Sequence, residues 1–223
     1  MFDAVCDGYT ERVRELIQEG VDVNADPMYG IGYNFLSLTT IQGHAETAKI
    51  LIEAGADVNV KDRNEQTVLI IAASYGNTEI AKMLIEAGVD VNVKDKDGAT
   101  ALCWAASNGR EIAKMLIEAG ADVNVKCKKG QTPLLQAVRY GRTETAKMLI
   151  EADADVNVKD NWGQTPLSQA VYGGHIEIGK ILLDTGADVN SIPVGHEFYK
   201  KYYFYKAHEH MDDFGIRIDC LLK

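Results

Sequence analysis

The chain has 223 residues, 46% of them hydrophobic, and carries a formal net charge of −10. That balance argues for solubility and against general affinity for nucleic acid. The opening MFDAVCDGYTERVRELIQEG holds Asp3 and Asp7 and no apolar stretch of signal-peptide type, and the longest apolar runs, such as 68–73, are far too short to span a bilayer.

Residues 1–26 read as a shortened unit. Gly8 stands where a chain turns between two helices, and Leu16-Ile17-Gln18-Glu19-Gly20 resembles a helix ending that recurs downstream. Met1 then falls inside a first helix. Residues 27–60 contain Pro27-Met28-Tyr29-Gly30-Ile31-Gly32-Tyr33, read as an elongated aromatic connector, followed by two helical stretches.

From there the chain repeats itself. Asp57, Asp90, Asp122, Asp155 and Asp188 each open an Asp-Val-Asn, at intervals of 33, 32, 33 and 33 residues; the earlier interval from Asp22 to Asp57 is 35. A fixed period of this size predicts a solenoid of stacked units. The units are 61–93, 94–125, 126–158 and 159–190.

The unit 61–93 sets the pattern. Asp62, Arg63 and Asn64 are turn formers. Thr67 precedes an apolar run and predicts an N-cap, with a first helix over 67–75 stopped by Gly76. A second helix is predicted over 78–87, stopped by Gly88. Pro133 and Pro166 follow Thr132 and Thr165, at the first helical position, where a missing N–H costs nothing. In the second helices Glu, Lys and Glu recur at offsets of three and four, as in Glu79, Lys82 and Glu86. That face is a solvated wall, each pair worth about 0.2–0.5 kcal/mol. The opposite face (Ile80, Met83, Leu84 and their copies) is apolar, and one unit alone cannot bury it. The unit 94–125 lacks one residue between Gly109 and Ile112, which predicts a tighter turn there. Asp153 stands where the other units have the helix-stop glycine, in the left-handed region at some cost.

The order Gly-x-Thr-Pro-Leu, then Ala-Ala or Ala-Val, then Gly, then Leu-Ile-Glu-Ala-Gly-Ala-Asp-Val-Asn resembles the ankyrin repeat. The best copies are 98–124, 130–157 and 163–190, and the likeness covers about 1–190. It implies an all-α ankyrin-repeat solenoid: paired antiparallel helices with short β-turn or hairpin fingers, binding other proteins through the finger tips and inner helices. The family's histidine after Thr-Pro-Leu is replaced by Ser37, Ile70, Cys103, Leu135 and Ser168, so the bonding between neighbouring loops is expected to be weaker.

Past 190 the pattern dissolves. Residues 191–223 crowd Phe198, Tyr199, Tyr202, Tyr203, Phe204 and Tyr205, with a second helix expected over 211–222. The reading is a degenerate unit capping the array; an aromatic docking segment is the alternative.

Four cysteines, Cys6, Cys103, Cys127 and Cys220, show no framework spacing and read as free thiols in a reducing compartment. Cytoplasm, nucleus, or delivery into another cell's cytosol all fit. His208, His210 and Cys220 could hold a metal, but a polar surface is the simpler account. His44 and His175 follow inter-helix glycines and read as structural. Cys103 reads as a small buried hydrophobe, and Trp104 beside it as core. No cofactor is implied. No acid, base and nucleophile fall together, so a non-enzymatic binding role is expected.

The fingers and inner helices carry nine cations (Lys61, Arg63, Lys94, Lys96, Lys126, Lys128, Lys129, Arg139 and Lys159) against five acids, Asp62, Glu65, Asp95, Asp97 and Asp160. One reading is local, solvated Lys–Asp pairs. The other is a binding face for an acidic peptide or domain, with Tyr75, Arg139, Tyr140, Trp162 and Tyr172 as anchors and Lys96, Lys128 and Lys129 as electrostatic guides. A protein partner is expected, with self-assembly into a homodimer through the aromatic tail as the second hypothesis. If the tail caps the array, deleting 196–223 lowers solubility and the unfolding temperature; an equally soluble and stable truncation removes the cap role.

Overall fold

The computed structural model describes residues 1–26, 33–108 and 110–192. Within them the chain forms twelve α-helices and one closing 3-10 turn, and no strand. The helices come in six pairs: α1 (Phe2–Cys6) with α2 (Thr10–Gln18), α3 (Phe35–Gln42) with α4 (Ala45–Glu53), α5 (Val68–Tyr75) with α6 (Thr78–Glu86), α7 (Ala101–Asn108) with α8 (Arg110–Glu118), α9 (Pro133–Arg139) with α10 (Thr143–Glu151), and α11 (Pro166–Tyr172) with α12 (Ile176–Asp184). Odd helices pack on odd helices and even on even, giving two layers that run the length of the array. The all-α architecture that the resemblance implies is the one observed among the described residues.

The ends of the helices follow from the sequence. Thr67, Thr132 and Thr165 cap α5, α9 and α11, each hydroxyl accepting from the backbone N–H three residues on, and Asn34 does the same for α3. Pro133 and Pro166 begin their helices. Residue 109 alone separates α7 from α8, where two residues separate α5 from α6, in line with the missing residue in that unit.

From the second helix pair onward the core is built from two leucines per unit. Leu36, Leu69, Leu102, Leu134 and Leu167 line the odd row; Leu51, Leu84, Leu116, Leu149 and Leu182 line the even row; all are buried. Each contributes about 1.5–3 kcal/mol on burial, and only an adjacent pair of helices completes that burial. The outer wall is solvated as its charge pattern predicts. Lys82–Glu86 and Lys114–Glu118 pair at 3.8 Å between exposed side chains, so they add little.

Polar side chains set the spacing between units. Asn24, Asn92, Asn124 and Asn157 each donate an amide N–H to the carbonyl at the next unit's helix stop (Gly55, Gly120, Asp153 and Gly186) at 3.1–3.2 Å. Each also accepts from the next Asp-Val-Asn backbone, at Asp57, Asp122, Asp155 and Asp188, at 2.7–2.8 Å. A second set lies at the other end of the helices. Asn77 donates to the Thr40 carbonyl, Asn108 to Ser74, and Arg142 to Ser107. His44 Nε2 lies 3.0 Å from the Cys6 carbonyl, and the His175 ring lies against Gly141, where a Cβ would stand 2.7 Å from it. Both histidines are structural, as read. The inter-unit bonding that the missing Thr-Pro-Leu histidine put in doubt is carried by these groups.

The four described fingers, at 62–66, 95–99, 127–131 and 160–164, are tight turns rather than hairpins. Each is closed by two backbone bonds, as in Glu65 N–H to Asp62 and Asp62 N–H to Gln66, and the one bridge among the described residues is Lys61 with Thr67. Five residues leave no length for a ladder. Trp104 is not core: it is 37% exposed, and its indole N–H donates to Asp95 at 3.3 Å. An indole donor needs a partner, and the finger carboxylate offers one where the helix interior does not.

All of the elongated aromatic connector 27–33 except Tyr33, the aromatic segment with its capping or dimerising roles, the helix over 211–222 and the His208, His210 and Cys220 group lie outside the described residues, although Ile192 is buried in the core at the last described position.

Among the described residues two non-glycines have left-handed backbone, Asp153 (φ 64) and Glu65 (φ 60). Glu65 occupies the finger position filled by Gly98, Gly130 and Gly163, all at positive φ. Both side chains are exposed. Glu65→Gly and Asp153→Gly are each expected to raise stability by about 0.5–1 kcal/mol in urea unfolding, because only glycine adopts this conformation without a Cβ penalty.

Candidate functional site

The finger aspartates organise the face opposite the solvated wall. Asp62, Asp95 and Asp160 are each 7% exposed. In each, Oδ1 accepts two backbone N–H groups of its own turn: Asn64 and Gln66, Asp97 and Ala99, Trp162 and Gln164, all at 2.8–2.9 Å. The second oxygen accepts from Tyr33 at 3.2 Å, from Trp104 at 3.3 Å, or from Gln131 at 2.7 Å and Gln169 at 3.3 Å, respectively. Burial, and then the charge and hydrogen bond of Asp62, push the Tyr33 phenol above its ordinary value.

This arrangement corrects the local-pair reading of the finger charges for three of the five acids. The carboxylates of Asp62, Asp95 and Asp160 are held by neutral N–H and O–H donors of their own turns and of neighbouring elements rather than by a lysine ammonium. Lys128 pairs with Asp97 of the preceding finger at 3.9 Å, with both side chains largely exposed.

Finger backbones bond from unit to unit. Lys96 N–H donates to Asn64, Lys128 N–H to Asp97, and Asn161 N–H to Lys129, at 2.6–3.2 Å. Lys96, Lys128 and Lys129 therefore have fixed main chains and exposed side chains. The fingers approach so closely that a Cβ on Gly130 would lie 2.9 Å from the Asn161 backbone nitrogen.

The expected anchors stand on this face. Tyr75 is 59% exposed, Tyr140 55%, Trp162 64% and Tyr172 56%, while the leucines Leu69, Leu134 and Leu167 of the neighbouring inner helices are buried. Arg139 is exposed at the end of α9.

Three of these residues meet in a recess of about 490 Å³ between the last two units: Arg139, Trp162 and Tyr172 line it. Tyr75, Lys96, Lys128, Lys129 and Tyr140 are not part of its lining. Sequence reasoning did not find the rest of the wall, which is Gln131, Asp160, Gln164, Gln169 and Gly173. A signal existed in the glutamines that precede capping threonines, Gln131 and Gln164, and in the aspartate that opens three fingers.

Nothing in this face resembles a reaction centre. Burial pushes the Cys103 thiol up, which fits a buried hydrophobe and not a nucleophile. Among the described residues no group of three His, Cys, Asp or Glu side chains could hold a metal, and no helix is long and apolar enough to cross a membrane.

Comparison with known proteins agrees with the geometry. The family model for ankyrin repeats (3 copies) matches residues 36–127 and 122–192. The Ankyrin repeat-containing protein P1E11.10 of Schizosaccharomyces pombe is 32% identical over 68 residues, which are 30% of this chain and 32% of that protein. The chain thus aligns with about a third of that relative's length.

The buried and the exposed finger acids are expected to separate in chemical denaturation. Asp160→Ala strands four donors and should lower stability by about 2 kcal/mol. Asp97→Ala removes an exposed pair and should change it by less than about 0.5 kcal/mol.

Proposed function

Because the chain belongs to the ankyrin-repeat family, we propose that it is a non-enzymatic protein-binding module that grips an acidic partner on the finger tips and inner-helix face. Family members are generally protein–protein interaction modules, and the finer reading concerns this chain's own surface. The observation that carries it is the set of four aromatic side chains, each more than half exposed, on the face that also displays Lys96, Lys128, Lys129 and Arg139. Tyr75, Tyr140, Trp162 and Tyr172 supply rigid contact area at low entropic cost. The lysines steer an acidic surface toward them, and the wall of glutamates on the second helices repels the same surface from the opposite side.

The free thiols Cys6, Cys103 and Cys127 favour a reducing compartment, cytoplasm or nucleus, or the cytosol of another cell. The array 1–190 is read as the binding body, and 191–223 as its cap.

The test is affinity capture followed by mass spectrometry. Replacing Trp162 and Tyr140 by alanine together is expected to lose the proteins recovered by the native chain, with far-UV circular dichroism unchanged. Retention of the same proteins at the same yield removes this surface. Reversing Lys96, Lys128 and Lys129 to glutamate is expected to slow association by roughly tenfold at low salt and to leave dissociation nearly unchanged.

A further inference from the structure

The recess between the fingers and helices of 126–158 and 159–190 contains a carboxylate, yet it is not built for a cation. Asp160 already accepts four hydrogen bonds, two on each oxygen. Its Oδ2 holds the Nε2 groups of Gln131 and Gln169 together. The opposite orientation of either amide would set oxygen against oxygen, so this contact fixes both. The amide oxygens of Gln131 and Gln169 are then left buried without a donor. Gln131 is 2% exposed and forms part of the floor. A buried, fixed acceptor that no donor among the described residues satisfies is costly in the unbound protein, and a ligand N–H removes that cost.

The rim has the opposite character. The Arg139 guanidinium makes no hydrogen bond or ion pair among the described residues, and Trp162 presents an indole N–H that is likewise unpartnered there. A guanidinium fork matches a carboxylate in a bidentate geometry. The volume, about 490 Å³, suits a short extended segment.

Resting on the binding reading above, we propose that this recess takes one aspartate or glutamate side chain of an extended peptide, its carboxylate on Arg139 and a main-chain N–H of the same peptide facing the Gln131 and Gln169 oxygens. The two aromatic rings pack on the residue beside the acid. A lysine is disfavoured because it meets Arg139 and finds Asp160 saturated. A phosphoryl group is disfavoured because its additional acceptor oxygens face the two amide oxygens.

The probe is a phage-displayed random dodecapeptide library selected on the full 223-residue chain, with the winning peptides synthesised and measured by fluorescence anisotropy. The expected winners carry an acid beside an apolar or aromatic residue. Changing that acid to alanine weakens binding at least about tenfold on the native chain and hardly at all on Arg139→Ala, while Gln169→Leu weakens the acidic peptide several-fold at unchanged unfolding temperature. Winners that depend on Trp162 and Tyr140 but need no acid, or that bind tighter with phosphoserine in its place, overturn the recess proposal and leave the binding face intact. Winners indifferent to Arg139, Trp162 and Tyr140 alike, or no winners at all, overturn both.

Discussion

The structure depends on apolar burial that one unit cannot complete. Leu69 and Leu84 are buried because the helix pairs on either side cover them, and the same holds for Leu102 with Leu116 and for Leu134 with Leu149. An isolated helix of eight or nine residues is unstable in water, so neither α5 nor α6 persists without its neighbours. The consequence is directional. Stacking consumes the faces between units and leaves the sides of the array unspent. One side is taken by the Glu-Lys wall. The other carries the exposed rings of Tyr75, Tyr140, Trp162 and Tyr172.

Directional polar bonds convert a greasy stack into one of fixed spacing. Asn24, Asn92, Asn124 and Asn157 of the Asp-Val-Asn segments both donate to and accept from the next unit, so each measures the distance between units twice. At the far end of the helices, Asn77, Asn108 and Arg142 reach back to carbonyls of the preceding inner helix. These carbonyls belong to helix C-termini and would otherwise lack partners. The array is pinned at both ends of its helices, and the finger row stands on that frame. A side chain displayed from such a row loses little freedom on binding, which favours affinity without new contacts.

Period, caps and core were legible in the residues because each is set locally or by repetition. Thr67 announces α5 by its hydroxyl and the apolar run that follows, and Leu84 announces the core by its copies. The exposed anchors Tyr75, Tyr140, Trp162 and Tyr172 were legible for a related reason: they fall where the helix and turn pattern has no apolar requirement. What escaped is set between units. Asp160 looks like a surface acid in the sequence, and only the neighbouring finger, with Gln131, makes it a buried hub. Trp104 looks like core by size and composition, and only Asp95 explains its place at the surface. Glu65 gives no warning of a left-handed backbone until it is aligned with Gly98, Gly130 and Gly163.

The recess is a product of variation at positions the scaffold leaves free. Tyr33 and Gln131 occupy the same place before a capping residue, and each donates to the next unit's finger aspartate. The result differs because of the inner helix that follows. Where Asp95 meets Trp104, the indole occupies the second oxygen, and in 61–93 the residue at that helical place is Ile71, which is buried. Where Asp160 meets Gln169, a second amide joins the first, and both are left with an unused oxygen. The unit between has Cys127 in place of the aspartate, so no such hub forms there. A repeated core thus carries one non-repeated polar site, at the junction where Arg139, Trp162 and Tyr172 also converge. Duplication accounts for the leucines; it does not account for that convergence, which is the reason to look for selectivity at this junction before any other part of the face.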